Sequence, residues 1–417
     1  MQKIRTILFS LLCVCSLAAN AAYGYFFTVP NDDGKNIKYY TNDDGDFCVT
    51  VAEDNYSGIL NIPSTIEYEG NTYTVTSIGS EAFKGCSTLT GVSIPATVTY
   101  IGYSAFVNCS SLSSLRFEDG EQTLQITYED RGRYLDGRAM FYYCPANVYI
   151  GRPLHYYTHS SLGYGPFYKC PIRSVSIGGY MTEVPENLFT GCSRNTNVTL
   201  ANSVIKIGAS AFSSNTSLTS LDLGSVETIG NSAFSGCSAL KLVELPTTIT
   251  KMGTHVFGYC GLTTLSIPDN ITTIPNYAFR ANTSLETVYL PSTLTDINDM
   301  AFSDCYGLRN IYCLAVNPPS LNLDPTQSST NRVFDHVDLS YISLYVPEES
   351  IEKYATTEIW QDFKSIQAYA SISTITSDPN MTDSTIYNLQ GVIVGKSVEN
   401  LPAGMYIQNG HKFIVRQ

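Results

Sequence analysis

Residues 229–246 read IGNSAFSGCSALKLVELP, and residues 207–223 read IGASAFSSNTSLTSLDL, so one order of residue types recurs within the chain. Each segment begins with Ile-Gly, continues with Ala-Phe, and ends in apolar residues that alternate with polar ones, such as Glu244 in the first segment. This alternation is typical of a β-strand with one buried face. Because proline cannot donate a hydrogen bond to a sheet, Pro246 is expected to end the strand.

The repeat extends through most of the chain and is marked by one phenylalanine in each copy. The marker residues are Phe83, Phe106, Phe141, Phe167, Phe189, Phe212, Phe234, Phe257, Phe279 and Phe302. Successive markers are 23, 35, 26, 22, 23, 22, 23, 22 and 23 positions apart. A period of 22–23 residues indicates stacked units, each too small to bury its own apolar face. With parallel strands about 4.8 Å apart, about eleven coils would form a mainly β solenoid about 50 Å long. The glycine after the isoleucine, as in Gly79, Gly102, Gly208 and Gly230, is expected to permit a tight bend between coils.

A small polar residue lies three positions after the marker phenylalanine. Eight coils carry cysteine there, namely Cys86, Cys109, Cys144, Cys170, Cys192, Cys237, Cys260 and Cys305. Asn215 and Asn282 fill the place in two others, which suggests that the side chain satisfies backbone groups inside the turn. Disulfides between neighbouring coils are the alternative, since ladder spacing lies within their reach. We favour free, buried thiols because the asparagines interrupt any pairing, and we expect no metal site because no histidines accompany the cysteines.

The first 22 residues, MQKIRTILFSLLCVCSLAANAA, have the features of an export signal. Lys3 and Arg5 precede an apolar run, and small residues at Ala19 and Ala21 offer a cleavage site. The run is too short for a permanent membrane span, and no later segment is long and apolar enough. We therefore predict a protein that is secreted or displayed on the outer cell surface.

Composition and motifs point away from an enzyme and from nucleic acid. The formal net charge of −13 would repel phosphate backbones. Five histidines leave little material for imidazole catalysis or metal binding. The sequence has no phosphate-binding loop, dinucleotide fingerprint or hydrolase nucleophile motif. We expect neither catalytic residues nor a cofactor.

The first candidate binding region is the irregular stretch from 118 to 180. It is rich in tyrosine, and the candidate residues are Tyr142, Tyr143, Tyr149, Tyr156, Tyr157 and Tyr164. Insertions in a solenoid often form its binding surface, and tyrosine offers a flat ring and a hydroxyl with few rotors. The alternative is that these tyrosines only fill wider coils.

The second candidate is the column of residues that alternation places outward on the strands. It comprises Ser93, Arg116, Tyr149, Ser176, Thr199, Asp222, Glu244, Ser266, Tyr289 and Tyr312. Of these we take Arg116, Tyr149, Asp222, Glu244, Tyr289 and Tyr312 as candidate binding residues, since repeat proteins use such exposed sheets for contact. Plain solvation of a polar stripe is the alternative.

The quoted units resemble the leucine-rich repeat of the BspA-like surface proteins of Bacteroidetes, whose pattern is Ile-Gly-x-x-Ala-Phe-x-x-Cys-x-x-Leu-x-x-Leu-x-Leu-Pro. The resemblance implies a leucine-rich repeat arc over residues 78–369, a β-rich N-terminal cap at 23–77, and a closing unit at 333–369. In that unit Trp360 and Phe363 would pack over the last coil. Residues 370–382 suit a linker.

Residues 383–417 form a separate small β module in which Asn409-Gly410 predicts a tight hairpin. Leu401, Gly404 and Tyr406 are similar to the Leu-x-x-Gly-x-Tyr core of C-terminal sorting modules of type IX secretion. The piece is short, so both an active sorting role and a decayed module stay open.

For function, the resemblance implies a non-enzymatic surface scaffold that binds protein or glycan ligands and mediates adhesion to host matrix, mucosal surfaces or other cells. Two alternatives remain at this point. One is a secreted carbohydrate-active enzyme with its site in the tyrosine-rich stretch, and the other is a passive cell-envelope spacer.

Overall fold

The computed structural model describes residues 26–41, 48–127, 140–156, 165–322, 332–369, 386–388, 393–395, 404–408 and 411–415. Within them the chain forms a parallel-stranded β solenoid of about 13 turns, which confirms the predicted fold class and exceeds the expected eleven coils. The predicted signal peptide and linker lie outside the described residues.

One side of each coil is formed by the leucine-rich strand, and we call the resulting ladder the long-strand face. Its strands pair in parallel and in register, so that Val148 lies between Leu115 and Val175 in the core. Three consecutive sheets of six, two and five strands make up this face. The strands are Gly58–Asn61, Leu89–Ile94, Ser114–Phe117, Asn147–Ile150, Ser174–Ile177, Asn197–Leu200, Ser220–Asp222, Leu242–Glu244, Thr264–Ser266, Thr287–Leu290, Asn310–Cys313, Ser343–Val346 and Ser365–Ala368.

A second ladder, the short-strand face, is formed by the residues around the isoleucine that opens each repeat. Its parallel strands are Cys48–Val51, Asn71–Ile78, Tyr100–Ile101, Leu124–Ile126, Leu154–Tyr156, Glu183–Val184, Lys206–Ile207, Thr228–Ile229, Lys251–Met252, Thr273–Ile274, Asp296–Asn298 and Ser320–Asn322. The N-terminal cap continues the first sheet of this face with antiparallel strands Phe26–Pro30 and Asn36–Thr41. A further strand, Thr65–Tyr68, pairs antiparallel with Asn71–Ile78.

The third side of each coil is the turn that carries Ala-Phe, and we call it the turn face. Its backbone also forms a ladder of hydrogen bonds. In most coils the N–H of the marker phenylalanine donates to the carbonyl oxygen of the residue that precedes the marker of the next coil. The N–H of Phe212, for example, lies 2.9 Å from the Ala233 carbonyl oxygen. Residues with a left-handed backbone conformation lie two positions before and two positions after the phenylalanine. Examples are Ser232, with φ of 55°, and Gly236, with φ of 77°.

The expected reason for the repeated glycine was wrong. Gly230 is not among the residues with positive φ. A Cβ added to Gly230 would instead lie 2.6 Å from the Ala209 backbone nitrogen, and one added to Gly102 would lie 2.4 Å from that of Ser80. These contacts are too close for any side chain. The glycines therefore allow neighbouring coils to approach, and they do not shape the bend.

The marker phenylalanines stack into one continuous row along the core. Centroids of neighbouring rings are 4.4 to 6.1 Å apart, and Phe334 continues the row beyond Phe302. Trp360 and Phe363 then meet Phe334 edge-on at 6.5 and 5.7 Å. This contact confirms that both residues cover the last coil. Short helices frame them: the α-helix Ile351–Ala355 and the 3-10 helices Leu339–Tyr341, Glu348–Ser350 and Trp360–Asp362.

The repeated cysteines are free thiols that bond to backbone carbonyls, as the sequence predicted, but the nearest of these carbonyls belongs to the preceding coil and not to the same turn. The Cys237 thiol donates to the Phe212 carbonyl of the preceding coil at 3.3 Å, and Asn215 uses its side-chain amide in the same way toward Phe189. All ten cysteines of the described residues are free thiols. Burial raises the pKa of Cys237 to about 12, which keeps the thiol protonated and able to donate. The small polar side chains are therefore structural connections between coils.

The C-terminal residues form a separate antiparallel sheet of four strands, Ile386–Asn388, Ile393–Gly395, Gly404–Gln408 and His411–Val415. Gln408 pairs with His411, the register that the hairpin prediction requires. Leu401, one of the three sorting-module matches, lies outside the described residues. Among the residues that are described, no helix has the length and hydrophobicity needed to cross a bilayer.

Candidate functional site

The structure distributes the candidate residues over three faces of the solenoid. Arg116, Tyr149, Asp222, Glu244, Tyr289 and Tyr312 lie on the long-strand face. Tyr156 lies on the short-strand face, and Tyr142 and Tyr143 lie on the turn face. Tyr157 and Tyr164 lie outside the described residues. The described tyrosines of the irregular stretch therefore do not converge on one site.

The long-strand face carries the predicted outward column in register. Ser93, Arg116, Tyr149, Ser176 and Thr199 are successive partners across the first sheet. Asp222 pairs with Glu244, and Ser266, Tyr289, Tyr312 and Tyr345 follow one another in the last sheet. The sequence therefore predicted the register of this column correctly, and the structure adds Tyr345 to it. The run Leu344-Tyr345-Val346 alternates like the other strands, so this alternation could have predicted that Tyr345 faces outward.

A compact cluster around Arg116 occupies the N-terminal part of the column. The Arg116 guanidinium carbon lies 4.0 Å from the centroid of the Tyr149 ring, a cation–π contact. The Tyr149 hydroxyl donates to Asp119 at 2.6 Å, and Arg116 donates to the same carboxylate at 3.2 Å. The hydrogen bond to Asp119 is the main reason that the pKa of Tyr149 is raised. Because the Arg116–Asp119 pair is exposed, it adds little stability, but it fixes the orientation of the Tyr149 ring.

A stack of tyrosines occupies the C-terminal part of the column. Ring centroids are 4.8 Å apart between Tyr289 and Tyr312 and 4.4 Å apart between Tyr312 and Tyr345. Tyr289 is only 4% exposed, so the expectation that it would be an accessible binding residue was wrong. Its ring stacks against the Tyr312 ring of the neighbouring strand, and burial raises the pKa of Tyr289 to about 12. Tyr312 and Tyr345 remain half-buried, with part of each ring accessible from outside.

Between these two groups the face is polar and acidic. Asp222 and Glu244 are both exposed and lie side by side on neighbouring strands. The Asp222 carboxylate accepts the backbone N–H of Gly224 at 2.9 Å. Like charges on adjacent strands repel one another. This part of the face would therefore interact best with a partner that brings positive charge or hydrogen-bond donors.

The tyrosines of the other two faces have different surroundings. The ring centroids of Tyr142 and Tyr143 lie 4.1 Å apart, and Tyr143 is 57% exposed. The Tyr156 hydroxyl donates to the Glu186 carbonyl at 2.6 Å, and burial strongly raises its pKa. Tyr156 therefore joins two coils, which favours the interpretation that it fills a wide coil. Tyr143 alone of these three presents most of its side chain to solvent.

The described residues contain no group of three or more histidine, cysteine, aspartate or glutamate side chains arranged to hold a metal ion. The carboxylates beside Tyr149 are engaged by neighbouring side chains, since Asp119 accepts hydrogen bonds from Tyr149 and Arg116. Glu118, next to Asp119, accepts a hydrogen bond from Ser93 at 2.8 Å.

The match to a protein family agrees with the repeat architecture. The sequence model of the family described as the BspA type leucine rich repeat region matches six copies, at residues 62–128, 137–225 and 214–318. A solved leucine-rich repeat protein from Bacteroides ovatus is 24% identical over 76% of this chain and 78% of its own length, with a TM-score of 0.49. A leucine rich cell surface protein from Faecalibacterium prausnitzii is 20% identical over 85% of this chain and 97% of its own, with a TM-score of 0.33.

No curated protein is similar enough in sequence to count as a match. The family match, however, spans more than half of the chain, and it falls on the same Ile-Gly, Ala-Phe and Cys positions that build the three faces. The chain is therefore a member of the BspA-type leucine-rich repeat family.

Proposed function

We propose that the protein is an exported or cell-surface scaffold, without enzymatic activity, that binds a protein or glycan ligand through its long-strand face. Adhesion to host matrix, mucosal surfaces or other cells would be its role. The observation that carries the proposal is that the aromatic groups of this face are held in place before any ligand arrives. Arg116 and Asp119 hold Tyr149, and Tyr312 and Tyr345 stack on each other.

Preformed aromatic anchors lower the entropic cost of binding, because fewer side-chain rotations are lost when the complex forms. Tyrosine and arginine are also the residue types that dominate binding energy at protein interfaces. The acidic pair of Asp222 and Glu244 lies between the cluster around Arg116 and the tyrosine stack. A ligand that spans the face would therefore meet an aromatic–cationic contact, an acidic stretch and a second aromatic contact in that order.

The alternative function, that of a carbohydrate-active enzyme, would need two carboxylates that face each other across a pocket. In the described part of the irregular stretch, Glu118 and Asp119 instead accept hydrogen bonds from Ser93, Tyr149 and Arg116 on an open strand face. We therefore favour binding over hydrolysis for this face.

The test is an array of matrix proteins and glycans probed with the mature chain, residues 23–417. We expect selective capture, and we expect the double variant Tyr312→Ala/Tyr345→Ala or Arg116→Ala/Tyr149→Ala to weaken it at least tenfold. Tyr341→Ala is the matched control, because Tyr341 is 65% exposed and lies outside the strands of this face. Unchanged capture by both double variants would refute the proposed surface, and hydrolysis of an arrayed glycan would support the enzyme.

Export and sorting are tested separately. We propose that residues 1–22 direct export and that residues 383–417 contribute to surface sorting. Deleting residues 383–417 should leave the chain exported but reduce its display on the cell surface, measured by labelling of intact cells. Undiminished display would show that the C-terminal module is not a sorting signal.

A further inference from the structure

A cleft lies where the N-terminal cap meets the first coil, at the opposite end of the solenoid from the tyrosine stack. Its volume is about 670 Å³, within the range of about 300–1,000 Å³ that is usual for small-molecule sites. The cap strands Phe26–Pro30 and Asn36–Thr41 supply one side of the cleft. The segment after strand Cys48–Val51 and the turn of the first coil supply the rest. The cleft is not lined by any of the binding residues that were predicted from the sequence.

The first wall of the cleft is aromatic. Phe26 and Tyr40 are paired across the two antiparallel strands, and their ring centroids lie 5.7 Å apart. Phe26 is 62% exposed, whereas the adjacent Phe27 is 6% exposed and packs in the core. The Lys38 ammonium lies 4.9 Å from the centroid of the Phe26 ring. An apolar ring face is thus presented to the cleft from a regular strand.

The other walls are charged, and their charges balance. Lys38 and Lys84 contribute two cations, and Glu53 and Asp54 contribute two anions. Glu81, outside the lining, accepts a hydrogen bond from the Lys84 ammonium at 2.6 Å. Glu53, Asp54 and Lys84 are exposed. The lining therefore combines an apolar surface with hydrogen-bond donors and acceptors and carries no net formal charge.

We propose that this cleft binds a neutral saccharide unit, with the sugar ring against Phe26 and its hydroxyl groups hydrogen-bonded to the surrounding carboxylates and lysines. A sugar offers an apolar C–H face together with many hydroxyls, each of which donates and accepts. That combination matches an aromatic wall beside mixed donors and acceptors. Because two cations lie beside two anions, a net charge on the ligand would gain no overall electrostatic attraction from the lining.

This site is independent of the long-strand face, because the two surfaces share no residue. The protein would then hold two separate contacts, one for a broad ligand along the strands and one for a sugar at the cap. Failure of either proposal leaves the other standing.

The experiment titrates the mature chain with neutral oligosaccharides of glucose, galactose, mannose and N-acetylglucosamine, and with a uronic acid oligosaccharide as the charged probe. We expect at least one neutral probe to bind, and we expect Phe26→Ala and the cleft-filling variant Ser80→Trp each to weaken binding at least tenfold. Tyr180→Ala and Ser87→Trp are the matched controls, because both residues are exposed and neither lines the cleft. Circular dichroism verifies that the variants fold.

A second readout locates the ligand. Bound saccharide should protect Lys38 and Lys84 from chemical acetylation, measured by mass spectrometry, and leave exposed Lys251 unprotected. The inference is overturned if no neutral probe binds, if the uronic acid probe binds more tightly, or if binding survives both cleft variants. Loss of sugar binding in Tyr312→Ala/Tyr345→Ala alone would also overturn it, while supporting the long-strand face.

Discussion

Asn282 offers the sharpest test of how neighbouring coils are held together. Its side-chain amide donates to the carbonyl oxygens of Phe257 and Phe279 at 2.8 and 2.7 Å. Its side-chain oxygen accepts the backbone N–H of Leu262 at 3.3 Å. This third bond has a sequence cause, because the preceding coil has one residue between Cys260 and its leucine where the coils of Cys237 and Cys305 have two. Asn282 is fully buried, so its loss leaves the Phe257 carbonyl and the Leu262 N–H buried without these bonds, whereas the Phe279 carbonyl still accepts the Cys305 thiol at 3.3 Å.

The variant Asn282→Ala removes all three bonds. At about 1–1.5 kcal/mol for each bond, with a further cost of about 1 kcal/mol for the cavity, we expect it to lower the free energy of unfolding by about 4–5.5 kcal/mol. Asn282→Cys restores the donor toward Phe257 but leaves Leu262 without its acceptor. It should therefore cost about 2–3 kcal/mol.

The matched control is Cys237→Ala, at the same place in another coil. The thiol of Cys237 donates only a weak bond to Phe212, whose carbonyl also accepts the Asn215 amide at 2.8 Å. We therefore expect a cost of only about 1–2 kcal/mol. Urea unfolding followed by circular dichroism measures all three variants. Costs for Asn282→Ala and Cys237→Ala that agree within about 1 kcal/mol would refute the idea that these side chains act through backbone hydrogen bonds.

The remaining predictions concern packing and ionisation. Gly230→Ala should cost about 3 kcal/mol or more because its Cβ would lie 2.6 Å from the Ala209 nitrogen of the preceding coil. Gly179→Ala, with nothing within 4 Å, should change the urea midpoint little. Trp360→Ala should cost about 3–5 kcal/mol, with faster amide exchange first at the C-terminal coils. Arg152 is fully buried, and its Nε and Nη2 atoms have no partner. Arg152→Met should therefore leave unfolding free energy unchanged or raise it by about 1–4 kcal/mol. Burial raises the pKa of Cys237 from 9.0 to about 12, so above pH 9 the unfolded chain loses protons that the folded chain keeps. Stability should then fall as pH rises, by about 1.4 kcal/mol per pH unit for each such thiol, and less steeply in Cys237→Ala.

Much of the architecture could be predicted because it repeats. The marker phenylalanines, the outward column and the shared role of cysteine and asparagine each recur at a fixed spacing, so one interpretation could be checked against many copies. The reason for the glycines could not be found in this way. A tight bend and a close approach of two coils both require glycine, and only the 2.6 Å distance from a Cβ on Gly230 to Ala209 distinguishes them.

The parts of the candidate surface that sequence reasoning missed depend on contacts outside the repeat. Tyr289 alternates outward like its neighbours, but the ring stacked on it reduces its exposure to 4%. Asp119 lies just beyond its strand, so no alternation marked it as the partner of Tyr149. The cleft at the cap draws on Phe26, Asp54 and Lys84, which come from non-repeating or distant segments and share no spacing.

The backbone hydrogen bonds that join neighbouring coils around the marker phenylalanine run in one direction. From Phe83 onward, these N–H groups donate toward the C-terminal neighbour, and the carbonyls that accept them face the N-terminal one. Peptide dipoles aligned in this manner add, as they do in an α-helix. The turn face therefore acts as one long dipole, with its negative pole at the cap and its positive pole at the closing unit.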